Sequence, residues 1–286
     1  MPINSVVCIK QVPDTSQVRI DPETGSLVRQ GIPSVANPYD LYALETALSI
    51  RDRHGGFITA LSMGPPQAEE VLRKTLGYGA DRAVLLSDRA FAGADTLATT
   101  YALAAAVEKI AAGSLVANIG SGKGVDIVFC GKQSIDGDTG QVGPGLARRL
   151  SFSQLTYVCS LLEVDLKAMR VKAWRQREDG RELLQAQMPV AVTVTEQCSS
   201  IRYASLPGLI AAAKKPVEVW SAADLNVERG RLGLKGSPTR VSKIFAPPAR
   251  QRGEALSGPG KSAGEMAASL FDRLADRGLK IGRRGG

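Results

Sequence analysis

The amino-acid sequence predicts an α/β fold: a doubly wound, mostly parallel sheet with an antiparallel extension and a C-terminal arm that carries one helix. Up to residue 150, short apolar segments alternate with amphipathic stretches, which is typical of a parallel sheet covered by helices. From residue 151 onward, three segments alternate apolar and polar residues, as antiparallel strands do. Beyond residue 235 the chain is rich in Pro, Gly and Arg. We therefore expect an α/β domain over residues 1–235 and an arm with a helix over residues 236–286.

The first half of the chain contains four predicted buried strands. They are apolar and rich in β-branched residues, and they cover residues 5–10, 57–63, 83–87 and 126–131. Between the first two, a polar and turn-rich segment is expected to form a small hairpin with arms at 18–20 and 26–28. Helical spacing predicts helices after Asn37-Pro38-Tyr39-Asp40, over 67–76, from Asp95 to 112, and over 141–150. Asn37 or Asp40 is expected to cap the first of these helices.

The second half of the chain contains the predicted antiparallel extension. Segments 161–165, 170–174 and 183–187 alternate, and 178–181 forms the hairpin tip between the last two. A buried strand at 189–194 and a helix at 207–215 follow. The last amphipathic helix, 264–279, follows a Pro- and Gly-rich stretch, and we expect its apolar stripe to pack on another subunit.

Composition excludes several classes of protein. The chain is 44% hydrophobic with a mean hydropathy of −0.04, and no apolar run is long enough for a membrane span. The N-terminus does not resemble a signal peptide, so a cytoplasmic location is expected. Four separate cysteines and a single histidine, His54, argue against a zinc site, a disulfide scaffold and a nucleophilic triad. His54 is expected to have a structural role at the end of a helix.

The net charge of +8 is concentrated near the C-terminus. From Arg240 to the end there are ten Lys and Arg residues and four Asp and Glu residues. Only 5% of the residues are aromatic, and they are not interleaved with the basic residues, which argues against nucleic-acid binding. We expect either a solvated tail or a tail that docks on an acidic protein surface.

The segment 130–144, Cys-Gly-Lys-Gln-Ser-Ile-Asp-Gly-Asp-Thr-Gly-Gln-Val-Gly-Pro, is the most informative stretch. It joins a predicted parallel strand to a helix, and open α/β sheets bind ligands at the carboxyl ends of their strands. Its glycines allow close approach of backbone N–H groups to an anion, and the following helix N-terminus adds its dipole. A nucleotide phosphate or pyrophosphate is therefore a natural ligand. The loop matches neither standard phosphate-binding motif, so an Asp- and Gly-rich surface loop remains the alternative.

Two further strand ends and one helix start are expected to face the same crevice. The turn after Cys8, the turn Met63-Gly64-Pro65 and the segment Asn37-Pro38-Tyr39-Asp40 would surround an adenine with backbone groups. Each of these segments alone is more often a plain turn.

The set of motifs resembles the β subunit of electron transfer flavoproteins. The matching segments are Val7-Cys8-Ile9-Lys10-Gln11-Val12, Asn37-Pro38-Tyr39-Asp40, Ser62-Met63-Gly64-Pro65, Gly131-Lys132-Gln133-Ser134-Ile135-Asp136, Arg202-Tyr203-Ala204-Ser205-Leu206-Pro207 and Gly236-Ser237-Pro238-Thr239. They occur in order over nearly the whole chain. The loop 136–144 is similar to the branch of the family that includes nitrogen-fixation-associated and electron-bifurcating members, except that Gly140 stands where alanine is usual.

The resemblance implies a heterodimer in which an α subunit carries a redox FAD and this subunit binds a second adenine nucleotide. The resemblance implies that this nucleotide is FAD in the branch with nitrogen-fixation-associated and electron-bifurcating members, and a structural AMP in the mitochondrial-type branch. The adenosine pocket would be lined by Cys8, Asn37, Asp40 and Met63. Ribose and phosphates would be held by Gly131, Lys132, Gln133, Asp136, Gly137, Asp138, Thr139, Gly140, Gln141, Val142 and Gly143.

The resemblance also implies partner docking. Leu206 would anchor the loop that docks dehydrogenases, Lys214 and Lys215 would steer acidic partners, and the basic arm would embrace the α subunit. With FAD bound, the subunit would pass electrons between NADH or dehydrogenases and ferredoxin, flavodoxin or a quinone-linked oxidoreductase, without a catalytic acid, base or metal of its own. With AMP bound, it would be a non-redox scaffold that docks acyl-CoA-type dehydrogenases. A stand-alone nucleotide-binding protein of the universal-stress type is a third reading, which leaves the arm and the Leu206 loop unexplained.

Overall fold

A nine-stranded sheet organises the first of two compact units, Met1–Ile244 and Phe245–Gly286. The computed structural model describes residues 2–14, 19–20, 27–28, 33–113, 124–240, 253, 255–256, 260 and 262–279. In chain order the strands are β1 (Ile3–Cys8), β2 (Gln11–Pro13), β3 (Arg19–Ile20), β4 (Leu27–Val28), β5 (Ser34–Ala36), β6 (Gly56–Met63), β7 (Arg82–Leu86), β8 (Ile127–Gly131), β9 (Ser153–Asp165), β10 (Arg170–Gln176), β11 (Arg181–Gln187), β12 (Val190–Val194) and β13 (Glu218–Trp220).

The order of strands across the sheet is β11-β10-β9-β12-β8-β1-β6-β7-β13. The strands from β12 to β13 are parallel, and β10 pairs antiparallel with both β9 and β11. Parallel neighbours end at the same edge, so the carboxyl ends of β8, β1, β6 and β7 lie side by side. The predicted fold class, a mostly parallel sheet with an antiparallel extension, is confirmed.

Helices cover both faces of this sheet. They are α1 (Pro38–His54), α2 (Glu69–Tyr78), α3 (Thr96–Ala112), α4 (Val142–Leu150) and α5 (Leu206–Lys214), and the second unit contains α6 (Ala263–Asp276). One buried cluster joins α1 and α2 to one face of the sheet, and a second joins α3 and α4 to the other. In β1, Val7 belongs to the first cluster while Val6 and Cys8 belong to the second, because side chains alternate between the faces of a strand.

Several boundaries differ from the sequence-based expectations. Strand β9 is much longer than the predicted segment 161–165, because its first half pairs parallel with β12 before its second half pairs with β10. The predicted hairpin arms pair at β3 and β4, and the rest of that hairpin lies outside the described residues. Strand β13 and the β2–β5 pair were not expected from the sequence. His54 is the last residue of α1, as predicted.

Helix α6 of the second unit begins with a capping box. The Glu265 backbone N–H donates to Ser262 Oγ, and the Ser262 N–H donates to Glu265 Oε2 at 2.8 Å. Leu270 and Phe271 of this helix are exposed. Most of the predicted arm before α6 lies outside the described residues. Within the part of the chain that the structure describes, no helix has both the length and the apolar character that crossing a membrane requires.

Candidate functional site

A cavity of about 1120 Å³ opens at the carboxyl edge of the parallel strands. It lies where β1, β6, β7 and β8 end and where α1, α3 and α4 begin. Thirteen of the fifteen predicted cofactor-binding residues line it: Cys8, Asn37, Asp40, Met63, Gly131, Lys132, Gln133, Gly137, Thr139, Gly140, Gln141, Val142 and Gly143. Asp136 and Asp138 do not line it. The structure therefore brings together segments that are up to 135 residues apart in sequence.

The side chain of Asn37 holds the loop that follows β8. Asn37 is fully buried; its Nδ2 donates to the Gln133 carbonyl at 2.9 Å, and the Ile135 N–H donates to its Oδ1 at 3.2 Å. Asn37 occupies the N-cap position of α1, but its side chain makes no capping hydrogen bond to the backbone of the helix. The expected side-chain cap is therefore wrong at Asn37, because the amide is satisfied by the neighbouring loop instead.

Asp40 is buried on the floor of the cavity, where it bridges two strand ends. The Lys10 N–H donates to Asp40 Oδ2 at 2.8 Å, and the Gly131 N–H donates to Oδ1 at 3.0 Å. Burial raises the pKa of Asp40 to about 7, although hydrogen bonds from these two backbone groups lower it. A Cβ at position 131 would lie 2.6 Å from Asp40 Oδ1 and 2.5 Å from Tyr39 Cβ, so only glycine fits there.

The two aspartates of the loop are engaged outside the cavity. Asp136 pairs with Lys10 Nζ at 2.7 Å, and Gln133 Nε2 donates to Asp138 Oδ1 at 2.8 Å. Although burial acts in the opposite direction, hydrogen bonds from Lys10 and Ser134 lower the pKa of Asp136. Asp138 has a φ of 52° in the tight turn after Ser134. Both carboxylates are thus bonded to protein groups, which limits their repulsion of an anion in the cavity.

The start of α4 provides backbone donors on the far side of the loop. Gln141 is its N-cap residue, and the helix has no side-chain cap. The N–H groups of a first helical turn have no partners within the helix, and they are suited to an anion. A Cβ at Gly143 would overlap the Thr193 side chain, so α4 begins unusually close to β12. Lys132 is not directed freely into this region, because its Nζ lies 3.4 Å from Glu196 Oε2 and 4.6 Å from the centre of the Tyr39 ring.

Sequence reasoning missed one side of the cavity, formed by the segment between β7 and α3. Asp95 caps α3, because the N–H groups of Leu97 and Ala98 both donate to its Oδ1 at 3.0 Å. Its Oδ2 accepts from Thr239, whose N–H lies at 3.1 Å and whose hydroxyl lies at 2.8 Å. Asp95 and Thr239 both line the cavity. The sequence did contain a signal for this side of the cavity. The carboxyl end of the predicted strand 83–87 must lie at the same edge of the sheet as the carboxyl ends of the other parallel strands.

The predicted docking residues lie apart from the cavity lining, on and beside α5. Leu206 is 71% exposed at the start of the helix, and Tyr203 before it is 96% exposed. Lys214 is exposed, whereas Lys215 Nζ donates to the Ala80 carbonyl at 3.0 Å. Arg202 fastens the preceding segment through Glu45 at 2.8 Å and Asp52 at 2.9 Å. The described residues contain no cluster of His, Cys, Asp or Glu side chains that would hold a metal ion.

A doubly wound sheet with a glycine-lined cavity at its carboxyl edge defines the class of α/β proteins that bind ligands above parallel strands. The family model described as "Electron transfer flavoprotein domain" matches residues 24–225 of this chain. "Protein FixA" of Bradyrhizobium diazoefficiens is 50% identical over 273 residues, which are 95% of this chain and 91% of that relative. The chain belongs to the electron transfer flavoprotein family, and within it to the β-subunit branch that the sequence motifs indicate.

Two further relatives come from other bacteria. "Electron transfer flavoprotein subunit beta" of Clostridium acetobutylicum is 46% identical over 275 residues, covering 96% of this chain and 98% of that protein. "Caffeyl-CoA reductase-Etf complex subunit CarD" of Acetobacterium woodii is 43% identical over 273 residues, covering 95% of this chain and 98% of that protein. The predicted resemblance is confirmed, and a role in electron transfer follows from the family.

Proposed function

We propose that this chain is the β subunit of a cytoplasmic, heterodimeric electron transfer flavoprotein that binds FAD in the cavity. It passes electrons between NADH or dehydrogenases and low-potential or quinone-linked acceptors. The size of the cavity carries the proposal. Pockets for drug-sized ligands measure roughly 300–1,000 Å³. A cavity of about 1120 Å³ has room for a dinucleotide.

The chemistry of the lining supports the same ligand. Gly131, Gly137, Gly140 and Gly143 leave backbone close to the cavity, and the N-terminus of α4 offers unpaired N–H groups. These groups would hold the diphosphate, while the ends of β1 and β6 at Cys8 and Met63 would contact the adenosine. FAD, when bound, supplies the redox chemistry. The residues of the chain bind it, orient it and exclude water from it.

Partner binding is proposed for two other parts of the chain. The basic segment 236–286 would contact the α subunit, and the name of the relative CarD supports assembly into a larger complex. The exposed Leu206 would dock redox partners, and Lys214 would steer acidic ones. The Lys215 ammonium group keeps its charge but is held against the Ala80 carbonyl, so it would be less free than Lys214 to contact a partner directly.

The test is to denature the purified α/β complex and quantify the released flavin and AMP. Two flavins per heterodimer support the proposal. One flavin and one AMP would instead support a non-redox scaffold that docks acyl-CoA-type dehydrogenases. A chain that purifies as a stable monomer without any nucleotide would contradict both.

A further inference from the structure

Asp40 is a carboxyl group buried at the point where the cavity meets the sheet. It is 6% exposed and lines the cavity, next to the ends of β1 and β8. Both of its oxygens accept from backbone N–H groups, those of Lys10 and Gly131. A ligand that fills the floor of the cavity therefore covers the small part of this carboxyl group that is still exposed.

The groups around Asp40 provide little positive charge. The Lys10 ammonium group acts on Asp40 from the end of β1, but it already pairs with Asp136 at 2.7 Å. The thiols of Cys8 and Cys130 lie beside each other on the floor, and the hydrogen bond with Cys8 together with burial raises the pKa of Cys130. The neutral amide of Asn37, just before α1, also hydrogen-bonds to Asp40, and from the loop comes Lys132, which is paired with Glu196.

We propose that binding of a nucleotide in this cavity is accompanied by uptake of a proton at Asp40. The inference rests on the proposed function, because it requires a nucleotide in the cavity. A bound dinucleotide covers the remaining exposed part of the carboxylate and brings the negative charge of its diphosphate. Both effects favour the neutral carboxylic acid. The protonated group keeps oxygen acceptors for the two backbone donors and gains one O–H donor. Asp40 is thus a positioning residue that joins two strand ends and couples ligand binding to pH.

The expected size follows from the titration of a single group. Burial raises the pKa of Asp40 to about 7 in the free protein, so the carboxyl is mostly ionised at pH 8. If the ligand raises this pKa by one unit, about 0.4 proton is taken up at pH 8, and a rise of two units gives about 0.8. By linkage, the affinity for the nucleotide then falls about fivefold to 25-fold between pH 7 and pH 9.

The experiment is calorimetric titration of the cofactor-free α/β complex with FAD at pH 8, in buffers of different ionisation enthalpy. FAD is preferable to AMP because the second pKa of a phosphate monoester, about 6, would add its own proton exchange near neutrality. The Gly140→Trp complex, in which we expect the bulky side chain to block the cavity, measures the background from the α subunit. We expect uptake of 0.4–0.8 proton at this site, as estimated above for one group.

Asp40→Asn tests the assignment to this residue, because the amide is neutral at every pH. The Asp40→Asn complex is expected to bind FAD without proton uptake and with affinity that does not change from pH 7 to pH 9. Asp179→Asn, at the exposed hairpin tip, is the matched control and should behave as the unmodified chain does. If Asp40→Asn does not fold, infrared spectroscopy of the unmodified complex takes its place as the test. The carbonyl band of a protonated carboxyl should then appear when FAD binds.

The outcomes separate the two proposals. Proton uptake no greater than the Gly140→Trp background, or uptake above that background that persists in Asp40→Asn, overturns the proton coupling and leaves the proposed function standing. FAD binding that is unchanged in the Gly140→Trp complex overturns the proposed site and the coupling with it.

Discussion

Replacing Asn37 with alanine removes the side chain that ties the loop after β8 to the start of α1. The substitution leaves the Gln133 carbonyl and the Ile135 N–H without the bonds that Asn37 provides at 2.9 and 3.2 Å. Each hydrogen bond contributes about 0.5–1.5 kcal/mol, so the two contribute about 2 kcal/mol together. Because these bonds hold the loop against the cavity, we expect most of this loss to act on nucleotide binding.

A loss of about 2 kcal/mol corresponds to roughly 30-fold weaker binding. The assay is equilibrium binding of FAD to the α/β complex, with urea unfolding of the same samples to measure global stability. Asn226→Ala, at an exposed position, is the matched control. If Asn37→Ala binds FAD as tightly as Asn226→Ala does, the loop does not hold the nucleotide and the reasoning is wrong.

Four further predictions follow from individual contacts. Asp95→Ala should lower the free energy of unfolding by about 1–2 kcal/mol in urea titrations, because α3 loses its cap and Thr239 loses its acceptor; no change would contradict the described cap. Gly140→Trp should abolish nucleotide binding in the cavity, so that the denatured complex releases no second nucleotide, because φ is +62° and the new side chain starts 3.3 Å from the Tyr157 hydroxyl. Unchanged nucleotide content would mean that the site is misplaced. The hydrogen bond from Arg82 lowers the pKa of Glu218, so the pair stabilises the fold at pH values above the ordinary pKa of Glu, and this stabilisation is lost as the pH falls through the lowered pKa. In Glu218→Gln the free energy of unfolding should therefore fall less steeply toward acid pH. At pH 7 the substitution should lower this free energy by less than about 1 kcal/mol, because the pair is partly exposed. Leu206→Ala should slow electron exchange with a dehydrogenase without changing nucleotide content or unfolding, because the side chain is 71% exposed; a lowered stability would instead indicate a packing role.

The sequence predicted those features that depend on local patterns. The apolar strands that became β1, β6, β7, β8 and β12 follow from their composition, and so does the position of the loop 131–143 at the end of β8. Asp95 was recognisable as the start of a helix, because an acidic residue before a helical run is a typical cap.

Other features depend on contacts between distant segments. The sequence near Asn37 cannot show that its amide bonds to Gln133 instead of capping α1, because the loop that satisfies it comes 96 residues later. Thr239, which lines the cavity and bonds to Asp95, follows Asp95 by 144 residues, so the sequence near either residue cannot show this contact. Strand β13 has only three residues, which is too short a segment to predict a strand from its sequence. It forms where it pairs with the outer side of β7.

The most direct test of the account is an experimental structure of the α/β heterodimer purified with its own nucleotides. We predict an FAD in the cavity, with its diphosphate within hydrogen-bond distance of backbone N–H groups between Gly131 and Gly143. A heterodimer whose second nucleotide lies elsewhere, or whose loop after β8 points away from an empty cavity, would contradict it.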